Sequence, residues 1–320
     1  MGTLFTWVRD RWHTATLRLA SVVRDDDAPA NGRLSSVGAW AGLDDIRNPE
    51  RTVATALALG LDAVHIVVND HAKQRLPPSG PLGPTGYPSA DIVALAGACH
   101  AAGLEVHLMS WMTPHADYTR VVCSRLVSLA VACRAKSVVL DLEEPQTQAR
   151  LSRLRRVPLS RYAEHAREVL DLLIAPLRGL GVEVGFTAIR YADAARVGPI
   201  AAHCDYGLVQ AYATKSSGAD PLTVVALGVA AWRKRFGAAL PIRIALAAYR
   251  QAGLKGYSTV GAAMLAAAGA AADVTRTVVY WYIPTIRASS ATARALTFIC
   301  AHDGDGVPAP QSDVPTERLA

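Results

Sequence analysis

The chain has 320 residues, 51% of them hydrophobic and 19% charged, with a net charge of +6 from 33 Lys and Arg against 27 Asp and Glu. Such an apolar share, rich in Ala, Val and Leu, fills a large core and excludes a disordered chain, while the length permits two average domains or one barrel. The sequence isoelectric point near 9.2 rests on scattered arginines, so nucleic acid is not an expected partner; the local cluster Arg150, Arg153, Arg155 and Arg156 reads first as a solvated helix start.

Residues 1–33 are expected to be an N-terminal extension, with a candidate amphipathic helix carrying Trp7 and Trp12 and a candidate linker at Arg24-Asp25-Asp26-Asp27-Ala28-Pro29. Arg9, Asp10 and Arg11 interrupt the apolar stretch that a Sec signal needs. The expectation is synthesis in the cytoplasm, with residues 1–30 a candidate docking helix for a carrier particle or secretion machine. Five cysteines without CxxC spacing, Cys99, Cys123, Cys133, Cys204 and Cys300, read as reduced core residues.

Beyond residue 33 the pattern changes. Short β-branched runs alternate with longer Ala/Leu/Arg segments of helical period. Eight strands are predicted, at Ser36–Trp40, Ala63–Asn69, Glu105–Trp111, Ser137–Glu143, Glu183–Ile189, Tyr206–Tyr212, Ile242–Tyr249 and Thr277–Ile283. Gly60, Gly103 and Gly181 each stand between a helical segment and a strand, where a left-handed residue ends a helix. The prediction is a single-domain α/β protein, a (β/α)8 TIM barrel over 34–302 with a short mobile tail over 303–320. The Ala- and Gly-rich run Val260 to Ala272 reads as a packed helix, since it is short for a membrane span. The Pro/Gly-rich stretch from Leu76 to Pro88 is either a cleft wall or a surface excursion.

Polar and aromatic residues gather at the C-terminal ends of these strands, where a barrel builds its site. The fourth strand is the most informative: Ser137-Val138-Val139-Leu140-Asp141-Leu142-Glu143-Glu144-Pro145. Alternation places Val139, Asp141 and Glu143 on one face, with the two carboxylates about 6–7 Å apart at their Cα atoms. If that face points inward, the acids meet at the barrel mouth, an arrangement suited to glycosidic bond cleavage. Glu144 then points the other way and is expected in an ion pair. Trp40, Trp111, Tyr249 and Trp281 are candidates for a sugar platform, though a tryptophan there can equally plug the barrel top. Asn69 and Gln210 are candidates to hold hydroxyls.

At Asp141-Leu142-Glu143 the chain resembles glycoside hydrolases of the family 18 chitinase type, whose fourth strand ends in a DxxDxDxE motif. The last Asp and the Glu of that motif stand here as Asp141 and Glu143; its two earlier acids are replaced by Lys136 and Val139. Gln210-Ala211-Tyr212 resembles the family's sixth-strand pattern, and Trp281 its floor tryptophan. Family 25 lysozymes, which also carry D-x-E at a strand end, are a near-equal match at the acids. The resemblance implies action on N-acetylated amino-sugar polymers, peptidoglycan first and chitin-type glycans next, with no metal and no organic cofactor. It implies Glu143 as general acid, Asp141 orienting the substrate's 2-acetamido group, and Tyr212 donating to the developing oxazolinium.

Two other readings stay open. Asp141 and Glu143 could be tied to Arg190 or Arg250 in a non-catalytic sugar-binding or assembly barrel. A metal-dependent hydrolase is suggested by His65, His71, His107, His115 and His203, but H-E-x-x-H is absent, and His65 and His107 alternate with apolar residues as core histidines do. Walker, GxGxxG and GxSxG patterns are also absent.

Overall fold

All eight expected strands form, and each lies parallel to its sequence neighbours, the last pairing back onto the first to close a barrel. They are β1 Ser36–Ala41, β2 Ala63–Val67, β3 Glu105–Trp111, β4 Ser137–Asp141, β5 Glu183–Ile189, β6 Tyr206–Gln210, β7 Ile242–Ala247 and β8 Thr277–Trp281. The computed structural model describes residues 34–69, 87–114, 116–142, 158–189, 193–212, 221–248, 260–272, 274–281 and 283–301. The N-terminal extension, the Pro/Gly-rich stretch up to residue 86, the arginine cluster and the tail lie outside them.

Helices wrap the strands: α1 Leu43–Ile46, α2 Pro49–Leu59, α3 Ser89–Ala101, α4 Ala116–Ala132, α5 Leu159–Val169, α6 Ala175–Gly179, α7 Ala194–Ala201, α8 Pro221–Phe236, α9 Val260–Ala272, α10 Ile283–Arg287 and α11 Ser290–Ala301. A π-helical turn, Leu170–Ile174, joins α5 to α6. Gly60, Gly103 and Gly181 adopt φ of 74°, 78° and 73°, the left-handed conformation expected of them. Among the described residues no helix is long and apolar enough to cross a membrane.

Several strands stop about two residues short of their predicted ends. β2 ends at Val67 rather than Asn69, β4 at Asp141 rather than Glu143, β6 at Gln210 rather than Tyr212, and β7 and β8 likewise stop early. Single bonds continue past those ends, from the Val68 N–H to the Met109 carbonyl and from the Leu142 N–H to the Thr187 carbonyl, but the paired ladder does not, so the pattern alone overshoots.

Which face points inward follows from contacts that skip a strand. Ser137 Oγ on β4 lies 2.8 Å from the Tyr206 hydroxyl on β6, passing over β5. Gly185 on β5 makes this possible: a Cβ there would sit 2.3 Å from the Tyr206 ring. Arg243 on β7 stacks over that ring at 3.5 Å and reaches Glu183 on β5 at 2.9 Å. Ser137 also contacts His107 Nδ1 at 2.7 Å, and His107 stacks on His65 with ring centroids 4.3 Å apart. Gly38 on β1 leaves room for His65, whose ring lies 2.8 Å from where a Cβ would be. A neutral His107 protonated at Nε2 satisfies the chain: Tyr206 donates to Ser137, Ser137 donates to Nδ1, and Nε2–H faces Glu105 at 3.7 Å. These residues lie near the N-terminal ends of their strands, so they form a polar floor. His65 and His107 are thus core histidines.

Burial in this floor pushes the His65 pKa well below its ordinary value, with His107, whenever it is charged, and Arg243 adding to it. Burial also lowers His107, although Glu105 opposes the shift. Outside the barrel, between α4 and α5, burial and then Arg161 lower His165 to about 4. Unfolded histidines titrate near 6.5, so between that value and the folded pKa the unfolded chain binds more protons and stability drops as pH falls. Unfolding free energies from urea titrations read by circular dichroism are expected to be level near pH 7.5 and to fall below about pH 6.5, by up to about 1.4 kcal/mol per pH unit for each of these histidines. His65→Leu should make the slope shallower, whereas an unchanged slope removes His65 from the account. Gly185→Ala is expected to cost about 1–3 kcal/mol in the same assay, because the pinned Tyr206 ring must move.

Candidate active site

The contacts on the floor show that Ser137 faces inward, so alternation along β4 turns Val139 and Asp141 inward as well. Asp141 stands at the C-terminal rim, 6% exposed. Its backbone is held on both sides. Trp111 of β3 and Thr187 of β5 are its register partners. The Met112 N–H donates to the Asp141 carbonyl at 3.0 Å, and the Leu142 N–H to the Thr187 carbonyl at 2.8 Å. Thr187 is fixed in turn, its hydroxyl donating to the Leu208 carbonyl at 2.8 Å. A carboxylate carried on a rigid strand end, in low-dielectric surroundings, is placed for proton transfer or charge stabilisation.

Glu143, Glu144, Tyr249, Arg190 and Arg250 lie outside the described residues. Trp281 ends β8 in register with Ala247. Gln210 ends β6 and is buried, and Tyr212, two residues on, is half-buried against the core. Asp141 and Gln210 thus end strands β4 and β6 at one rim, with Tyr212 just beyond β6.

Three expected ligand contacts have other work. Trp40 and Trp111 are 1% and 2% exposed. Trp40 packs edge-on against His65 at 4.9 Å, and Trp111 edge-on against Tyr118 of α4 at 5.9 Å. They plug the barrel rather than offering an open platform, because the interior under the mouth needs volume that small neighbours such as Gly38 do not supply. Asn69 is buried with its amide engaged: Oδ1 accepts from the Trp111 N–H at 2.7 Å, and Nδ2 donates to the Trp111 carbonyl at 3.3 Å and to the Tyr118 hydroxyl at 3.1 Å. Its amide holds the rim.

The rim is braced at two further places. Asp45 of α1 is wholly buried, pairs with Arg287 of α10 at 3.4 Å and accepts the Gly42 N–H at 3.0 Å, tying the segment after β1 to the one after β8. Burial raises the Asp45 pKa despite these partners. Beside β4, Arg161 of α5 donates to the Pro114 carbonyl at 3.0 Å, and His165 Nδ1 meets the Thr119 hydroxyl at 2.9 Å. Sequence reasoning missed Thr187, Tyr118 and the Asp45–Arg287 pair. Thr187 and Tyr118 read as ordinary strand and helix residues, and the pair is separated by 242 positions.

No protein-family model matches the sequence, and neither does any curated protein. Solved structures do match. The barrel is similar to a GH18 chitinase from Pseudoalteromonas aurantia, with a TM-score of 0.54 and 10% identity over 83% of this chain and 100% of that one. It is similar to a GH113 β-1,4-mannanase, with a TM-score of 0.56 and 10% identity over 85% and 99%. It is also similar to a xylanase–amylase inhibitor protein, with a TM-score of 0.52 and 14% identity over 82% and 97%. At such identities the likeness establishes the fold: a (β/α)8 barrel of the kind glycoside hydrolases use. The resemblance first drawn from the fourth strand is borne out at that level.

The plugging role of the tryptophans has a measurable consequence. Trp111→Ala is expected to lower unfolding stability by about 3–5 kcal/mol, with a drop in thermal midpoint visible without any ligand. A variant as stable as the wild type would return Trp111 to the sugar platform.

Proposed function

We propose that the chain is a glycoside hydrolase acting on N-acetylated amino-sugar polymers, with peptidoglycan the first candidate and chitin-type glycans the second. The observation that carries this reading is the position of Asp141, inward-facing at the C-terminal rim of a closed parallel barrel and two residues before Glu143. In this reading Glu143 protonates the leaving glycosidic oxygen, and its site must keep it protonated near neutrality. Asp141 stays ionised and orients the substrate's 2-acetamido oxygen for attack on the anomeric carbon. Tyr212 donates to the ring that forms, and Gln210 holds a neighbouring hydroxyl. No step needs a metal or an organic cofactor. The likeness of the barrel to chitinase and mannanase structures supports the reaction class.

A second reading is a non-catalytic barrel that binds glycan or another protein. Two observations favour it. Lys136 and Val139 occupy the positions of the motif's earlier acids; Lys136 is paired with Glu105 at the opposite end of the barrel and Val139 is wholly buried. A xylanase–amylase inhibitor also shares the fold.

Reducing-end release from purified peptidoglycan and from chitooligosaccharides separates the two. The wild type is expected to turn over one of them, with Glu143→Gln and Asp141→Asn each folded by circular dichroism and slowed by about 100-fold or more. Binding without release by the wild type would establish the non-catalytic barrel instead.

A further inference from the structure

We propose that Asn69 is a positioning residue for Asp141, a side-chain amide standing in for a peptide group at the end of the β2–β3 ladder. The inference rests on the reading of Asp141 as part of a glycosidase site.

In a parallel pair, every second residue of one strand donates to one carbonyl of its neighbour and accepts from the N–H two residues beyond that carbonyl. Val68 makes the first of these bonds, its N–H donating to the Met109 carbonyl at 2.9 Å. The second would bring the Trp111 N–H to the Val68 carbonyl. That carbonyl instead accepts the Tyr87 N–H at 3.0 Å, as the chain returns toward α3. The Trp111 N–H turns to Asn69 Oδ1 at 2.7 Å, and the Trp111 carbonyl accepts from Asn69 Nδ2 at 3.3 Å and from the Tyr118 hydroxyl at 3.4 Å. The amide thus supplies both halves of a missing peptide. The main chain of β2 can leave the sheet while β3 stays extended to Trp111.

That extension matters one strand further on. Trp111 is the register partner of Asp141, and Met112, the next residue, donates its N–H to the Asp141 carbonyl at 3.0 Å. The hydrogen bonds of the Asn69 amide go to Trp111 and Tyr118, so it acts on Asp141 through Trp111. An apolar side chain at 69 would remove the amide bonds to both peptide groups of Trp111, leaving the carbonyl the longer bond from the Tyr118 hydroxyl. The end of β3 would then shift toward another acceptor for the Trp111 N–H and carry the β4 rim with it.

Three variants test this. In Asn69→Leu, folded by circular dichroism, kcat on the glycan that the wild type turns over is expected to fall about 100-fold, with KM within about threefold. The Trp111 amide, one of six tryptophan amides in 15N-Trp protein and assigned through Trp111→Phe, should shift. So should the titration midpoint of the Asp141 carboxyl carbon, assigned through Asp141→Asn. In Asn69→Asp the introduced carboxyl mimics the amide only when protonated, so the ratio of its kcat to the wild-type value should rise as pH falls. Where Asn69→Leu does not fold, Asn69→Asp and Tyr118→Phe carry the test. A lower melting temperature with an unmoved Asp141 titration, and an Asn69→Asp pH profile parallel to the wild type, would overturn the proposal. If the wild type turns over no glycan, the glycosidase reading fails, and the Asp141 titration in Asn69→Leu still decides whether Asn69 positions that carboxylate.

Discussion

Closing eight parallel strands encloses a space that only inward side chains can fill, and the molecule depends on how this is done. Bulk from one strand requires its absence on another. Tyr206 crosses β5 to reach Ser137 because residue 185 is glycine, and His65 fits beside β1 because residue 38 is glycine. The floor therefore combines large polar rings with bare backbone. Its polar atoms are then joined to one another, since a buried donor or acceptor left alone is costly.

The floor and the rim meet different demands. At the N-terminal ends of the strands, His65, His107, Ser137 and Tyr206 are buried and packed together under the half-buried Arg243, as a layer serving stability should be. At the C-terminal ends the ladder gives out strand by strand, and side chains take over the work of peptides. Asn69 does so for Trp111, and the Asp45 carboxylate does so for the Gly42 N–H. A rim held in this way keeps β4 regular up to Asp141 while releasing the connecting segments to vary. That division lets one barrel support many chemistries.

The strand count, the parallel order and the three helix-ending glycines were legible because each depends on local pattern: alternation, period and the need for positive φ. The inward direction of Asp141 was legible for the same reason, once one residue of β4 was known to face the axis. The roles of Trp40, Trp111 and Asn69 were not. An aromatic or an amide at a strand end has the same local signature whether it meets a ligand or the protein's own backbone. Only the position of Tyr118, Tyr87 and His65 around them distinguishes the two.

The sequence by itself determined a (β/α)8 barrel with a carboxylate-bearing fourth strand, because hydrophobic period and strand-end chemistry act between residues near in the chain. Tertiary structure alone decided that two tryptophans plug the mouth, that Asp45 meets Arg287 across the closure, and that the Asn69 amide completes the ladder to Trp111. Each of these rests on which groups are left without a partner when distant segments come together, and that shortage exists only in the folded chain.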